Sequence, residues 1–172
     1  MRLPERVGDQ VRIGVALQVP EPWGSRLQDA RASFGDPLAA LIPPHVTVVG
    51  PTVLEPEELP AVDAHLAEVC GRHAPFTVHL RGTGTFRPVS DVVFVQVVEG
   101  ISECERLERA VRCGPLEQEL RFNYHPHVTV AHDVPAEALD RAFAELADFE
   151  ASFQVEGVQV FEHGDDGVWR PV

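Results

Sequence analysis

Residues 43–51, Pro43-Pro44-His45-Val46-Thr47-Val48-Val49-Gly50-Pro51, and residues 125–133, His125-Pro126-His127-Val128-Thr129-Val130-Ala131-His132-Asp133, decide how this chain reads. Each holds a short β-branched run with a histidine and a threonine two positions apart. Successive strand side chains point to opposite faces, so His45 and Thr47 share one face and Val46 and Val48 the other. His127 and Thr129 stand in the same way against Val128 and Val130. The valines are expected to anchor each strand in a core while the His and Thr look outward.

Working outward, Val11 to Val19 (VRIGVALQV) is a strand closed by Pro20, and Trp23 to Phe34 has helical spacing. The first motif strand, His45 to Val49, is followed by a helix over Glu57 to Arg72, which Pro56 and the acids after it suit as a start. Strands are expected at Phe76 to Leu80 and Val92 to Val98. A helix over Ser102 to Leu120 is expected to be interrupted at Gly114-Pro115. The second motif strand, His127 to Ala131, precedes a helix from Pro135 to Phe149, a strand from Phe153 to Phe161, and a last short strand near Val168 to Pro171.

The same order therefore occurs twice: apolar strand, helix, His-Val-Thr-Val strand, Pro-initiated helix, strand opening with Phe. His45 and His127 lie 82 residues apart, Val15 and Val95 lie 80 apart, and Phe76 and Phe153 lie 77 apart. Such a repeat reads as an internal duplication. Two copies are too few for a solenoid. The expectation is one α+β domain, residues 1–172, built from halves of about 1–85 and 86–172. Its mainly antiparallel sheets would be flanked by helices, with a pseudo-twofold axis bringing equivalent residues together in a central cleft between two lobes.

Length and composition agree with an ordinary folded domain. The chain has 172 residues, 44% hydrophobic and 24% charged. Its 14 basic residues, all Arg, face 27 acids, giving a net charge of −13. Binding a long nucleic acid needs many cationic contacts and is not expected, whereas a small or terminal phosphate is compatible. Cys70, Cys104 and Cys113 are odd in number, lack Cys-x-x-Cys spacing, and read as reduced core thiols. The polar start MRLPERVGDQ has no signal-like apolar core, and nowhere do eighteen apolar residues run together. A cytoplasmic monomer without membrane attachment is expected.

Two imidazoles and two hydroxyls converging on one small volume suit a phosphate. Transfer at phosphorus needs a base for the nucleophile and an acid for the leaving oxygen, and imidazole can serve as either near neutrality. Threonine hydroxyls can donate to the non-bridging oxygens. Catalytic His45, Thr47, His127 and Thr129 would then need no metal and no cofactor.

The twinned His-x-Thr motifs, about eighty residues apart in a duplicated chain, resemble those of the two-histidine (2H) phosphoesterase superfamily. That superfamily includes the bacterial RNA 2′,3′-cyclic phosphodiesterases, also called 2′-5′ RNA ligases. The resemblance covers most of the chain. It implies a two-lobed α+β fold with the motifs lining the cleft, and metal-free action on a cyclic phosphate of a nucleotide or RNA terminus, or on a 2′-5′ linkage. By the same resemblance His45, Thr47, His127 and Thr129 are the catalytic four. The second motif of the bacterial RNA enzymes commonly ends in Arg where this chain has His132. Plain alternation puts His132 on the valine face, so it reaches the cleft only if the strand bulges or ends before it; capping the strand end is its alternative role. In GTGTFRP, Phe86 and Arg87 resemble a family loop beside the site, where a ring stacks on a base and a guanidinium meets phosphate. A core place for Phe86 and a solvated one for Arg87 are the alternatives. Tyr124 lines the cleft or packs ahead of the strand.

Two rivals remain. His125, His127, His132 and Asp133 offer transition-metal ligands for a metal-dependent hydrolase, although the first motif supplies one His and no nearby carboxylate. A non-catalytic module could capture a nucleotide or RNA end in the same cleft, but both complete motifs favour an enzyme. His65, His73, His79 and His163 carry no partner pattern and read as structural or surface histidines.

Overall fold

The structure is a computed structural model and describes residues 3–172. Among them are eight strands and four α-helices: β1 (Val11–Gln18), α1 (Trp23–Ser33), β2 (His45–Leu54), α2 (Leu59–Arg72), β3 (Phe76–Thr85), β4 (Val92–Glu99), α3 (Ile101–Val111), β5 (His127–His132), α4 (Ala136–Glu145), β6 (Glu150–Val155), β7 (Gln159–His163) and β8 (Trp169–Pro171). The strands form one antiparallel sheet in the order β6-β3-β4-β5-β2-β1-β7-β8, which makes the fold α+β.

Four strands lie on each side of the β2–β5 seam, where the register pairs Val46 with Val128. The order is a palindrome when β5 is matched to β2, β4 to β1, β3 to β7 and β6 to β8. This corrects two of the alignments. Phe76 and Phe153 are not related across the seam, because β6 lies against β3 with Val78 opposite Phe153. The counterpart of Val15 is likewise Val93 and not Val95, since Val15 pairs with Val49 and Val93 with Ala131. The half-sheets therefore mix the sequence halves, with β3 joining β4, β5 and β6.

Only residues 156–158 link β6 to β7, although five strands separate those two in the sheet order. A flat sheet would hold them nearly 30 Å apart, at about 4.8 Å per strand, whereas three linking residues span about half that. The sheet must be strongly bent. The expected single strand from Phe153 to Phe161 is accordingly two strands, β6 pairing with β3 and β7 with β1.

Alternation along the motif strands is as expected. Val46, Val48, Val128 and Val130 are buried in the main core with residues from all four helices, while His45, Thr47, His127 and Thr129 are partly exposed. Other boundaries moved. Helix α3 stops at Val111, because Gly114 takes a left-handed backbone (φ 59°) and Pro115 has no N–H to continue the ladder. Helix α4 ends at Glu145, and the Phe149 carbonyl accepts the Gly82 N–H instead. Cys104 is fully buried, and burial pushes its thiol up to about 12. Cys113 is exposed, contrary to the core reading, and its Sγ–H donates to the Arg109 carbonyl.

Candidate active site

The chain meets itself at the Val46–Val128 pair. Antiparallel register about that pair sets His45 beside Thr129 and Thr47 beside His127. Directly opposed side chains on one face lie about 5 Å apart, so the four groups alternate around a common centre.

Both histidines are oriented in one manner. The His45 Nδ1–H donates to the Pro43 carbonyl at 2.7 Å, and the His127 Nδ1–H donates to the His125 carbonyl at 2.7 Å. A carbonyl only accepts, so each neutral ring carries its proton on Nδ1 and presents Nε2 as acceptor. Among the described residues neither Nε2 has a hydrogen-bond partner. A proline, Pro44 or Pro126, stands between each histidine and the carbonyl that holds it.

Burial lowers the proton affinity of both rings. For His127 it brings the pKa down to about 4, with the neighbouring His125 and His45 imidazoles adding to the effect and the hydrogen bond to the His125 carbonyl opposing it. His45 is lowered by burial and by the Arg31 charge, against its own backbone bond to Pro43. Each bare ring is thus neutral at pH 7.

Matching bulges follow the two motifs. The ladder passes from Ala16–Thr47 to Val15–Val49, skipping Val48, and from Phe94–Thr129 to Val93–Ala131, skipping Val130. Each skip returns the next residues to register one position late. Ala131 therefore falls on the core face and His132, opposite Val92, on the His/Thr face. The His132 N–H donates to the buried Asp36 carboxylate at 3.1 Å, and its ring lies 3.3 Å from Asp133. It stands at the far end of the strand from His127.

The remaining candidates separate. Phe86 packs edge-on against His127 with ring centres 4.9 Å apart, and lies 4.5 Å from Phe94. Arg87 pairs with Asp140 of α4 at 2.8 Å and is engaged there. The Tyr124 ring packs on the main core, and its hydroxyl donates to the Thr47 carbonyl at 2.9 Å, tying the approach to β5 onto β2. It holds a motif strand.

His125, which the sequence offers only as a metal ligand, stacks on His127 with centres 5.9 Å apart. Sequence reading passed over other neighbours. Gln18 and Gln96 are the ladder partners of His45 and His127, and both are exposed. The matching bulges show that an offset of 78 between β1 and β4 would have found this pair. Phe161 and Trp169 flank His45 from β7 and β8, with no sequence signal to bring them there. His65, His73, His79 and His163 lie elsewhere, each with a partner of its own. Among the described residues no three His, Cys, Asp or Glu side chains group as a metal ion would require.

A helix-backed antiparallel sheet with two His-x-Thr strands meeting at its seam defines a phosphoesterase of the two-histidine class. The chain belongs to the 2′-5′ RNA ligase superfamily, whose family model matches residues 19–167. A protein of Halalkalibacterium halodurans, named as a phosphoesterase, is 30% identical over 161 residues, 91% of either chain. A similarly named protein of Bacillus mycoides is 28% identical over 78% of each. Among solved structures, Escherichia coli LigT complexed with 3′-AMP superposes with a TM-score of 0.68 at 18% identity over 95% of both chains. TT0787 of Thermus thermophilus superposes with a TM-score of 0.57 at 24% identity over 94% of both.

Proposed function

We propose that the protein is a metal-independent phosphodiesterase that opens a 2′,3′-cyclic phosphate on a nucleotide or RNA end, or cleaves a related 2′-5′ linkage. The observation that carries this reading is the alternating square of His45, Thr129, His127 and Thr47, each imidazole with its Nε2 free. Of the two rings that burial makes neutral in the bare site, we assign His127 as the base. Its Nε2 takes a proton from water as the water oxygen attacks phosphorus. The bond from phosphorus to one ribose oxygen breaks, and His45 gives that oxygen its proton. Thr47 and Thr129 donate to the non-bridging oxygens. A bound phosphate anion favours imidazolium, so substrate itself restores the proton that burial denies His45. The 3′-AMP, phosphate, ATP and NADP+ complexes of LigT support a nucleotide or phosphate ligand for this fold.

The near-palindromic sheet supports descent of the two halves from one ancestral unit. With a net charge of −13, the partner is a small or terminal phosphate and not a long polyanion. We further assign the protein to the cytoplasm as a monomer; no helix among the described residues is long and apolar enough to cross a membrane. The test is a panel of cyclic mononucleotides, cyclic-phosphate RNA ends and 2′-5′ oligonucleotides. Turnover of at least one is expected. Tight binding with no turnover of any would favour a non-catalytic module.

A further inference from the structure

Beside His45 and Thr47 the sheet opens into a small, partly open cavity of about 90 Å³. Its walls are Ile42, Ala16 and Gly14 together with the rings of Phe161 and Trp169. Among the described residues no charged side chain lines it, and His45 and Thr47 are its polar groups. Trp169 lies against β1 at Gly14, where the indole comes within 3.4 Å of the position a Cβ would take.

The other half-site is lined by larger side chains. The ladder partner of Thr47 is Ala16, whereas the partner of Thr129 is Phe94. Phe94 sits 5.0 Å from His127, with Phe86 and His125 packed around the same ring. One side of the phosphate centre is thus filled with protein aromatics, and the other is an open slot with aromatic walls.

We infer that this slot is a specificity site that takes the flat, uncharged ring of the substrate, a nucleobase, while the phosphate lies between the motifs. The inference rests on the phosphoesterase reading and adds to it the side from which substrate is held. Aromatic walls gain from burying a planar ring, and walls without charge desolvate nothing costly. A group attached to the phosphate reaches the slot directly because His45 and Thr47 border both.

Gly50 supplies a test that spares the fold. It lines the slot, its backbone is not left-handed, and a Cβ there meets nothing within 4 Å. Gly50→Leu should therefore fold and fill the space. With a nucleoside 2′,3′-cyclic phosphate, the variant should show KM raised about tenfold and kcat within twofold. With glycerol 1,2-cyclic phosphate, which has the reacting ring but no base, both constants should stay within twofold of wild type. Equal losses on both substrates, or no change on the nucleotide, would overturn the inference. Binding is followed separately in a Trp23→Phe background, where a nucleoside 2′-monophosphate should quench Trp169 fluorescence in wild type and about tenfold more weakly in Gly50→Leu. Quenching without any turnover would sink the reaction and keep the slot; turnover of both substrates with no quenching and no effect of Gly50→Leu would do the reverse.

Discussion

The two half-sites share a backbone and a matching glutamine partner, and differ in the rings around them. Each strand has Pro, His, a buried Val, Thr and a bulge, and each histidine is held by the carbonyl two residues behind it. Around His127 lie Phe86, Phe94 and a stacked His125. Around His45 lies an open apolar slot. The repeated part is what acid and base have in common, a ring with one nitrogen fixed and the other free. The unrepeated part is where two equal rings acquire unequal tasks.

Replacing either ring breaks the comparison most severely. His45→Ala and His127→Ala should each lower kcat on a cyclic nucleotide by about 10²- to 10⁴-fold, the usual worth of one positioned proton transfer. A p-nitrophenyl phosphodiester separates the roles, since its leaving oxygen needs little help from an acid. On that ester His45→Ala should lose at least tenfold less than His127→Ala, and equal losses would contradict the assignment. Next in size are the hydroxyls. Thr47→Val and Thr129→Val should each cost about 10²-fold in kcat, as removal of one donor to a developing oxyanion does, with KM moving less.

The pH profile sharpens the contrast between free and bound enzyme. Both rings have lowered proton affinity in the bare site, so the bell for kcat/KM should centre below pH 6.5. The bell for kcat should move to higher pH, because the bound anion favours imidazolium. The same shifts act on stability. His127 is neutral in the fold down to about pH 4, while the unfolded chain takes up its proton below about 6.5. Stability should fall as pH drops through that window, and less so in His127→Gln.

Smaller effects fall on supporting residues. Tyr124→Phe removes one hydrogen bond to β2 and should cost about 1 kcal/mol in chemical denaturation, with a modest loss of kcat. Arg87→Ala should change kcat/KM less than twofold, since its guanidinium is engaged by Asp140 and a partly exposed pair contributes about 0–1 kcal/mol.

The sequence carried the central geometry because strand alternation and the repeat are local signals. Val46 and Val128, each next to a motif histidine, are the residues at which the two strands meet. Boundaries were less legible where long-range bonds override local spacing. Phe149 continues a helical pattern yet gives its carbonyl to Gly82, and the run from Phe153 to Phe161 divides because its ends pair with strands from opposite sides of the sheet. His132 returned to the motif face through a bulge that plain alternation does not forecast. Phe161 and Trp169 had no motif at all. They reach His45 because β7 and β8 extend the sheet beyond β1, a relation that exists only in the assembled fold.

The central claim is acid-base catalysis at a phosphate by two histidines without a metal. Its most direct measurement is the initial rate on a nucleoside 2′,3′-cyclic phosphate in excess chelator, for wild type, His45→Ala and His127→Ala together. The account predicts an undiminished wild-type rate and a loss of at least 10²-fold in each variant. A wild-type rate abolished by chelator, or either variant turning over at close to the wild-type rate, would contradict it.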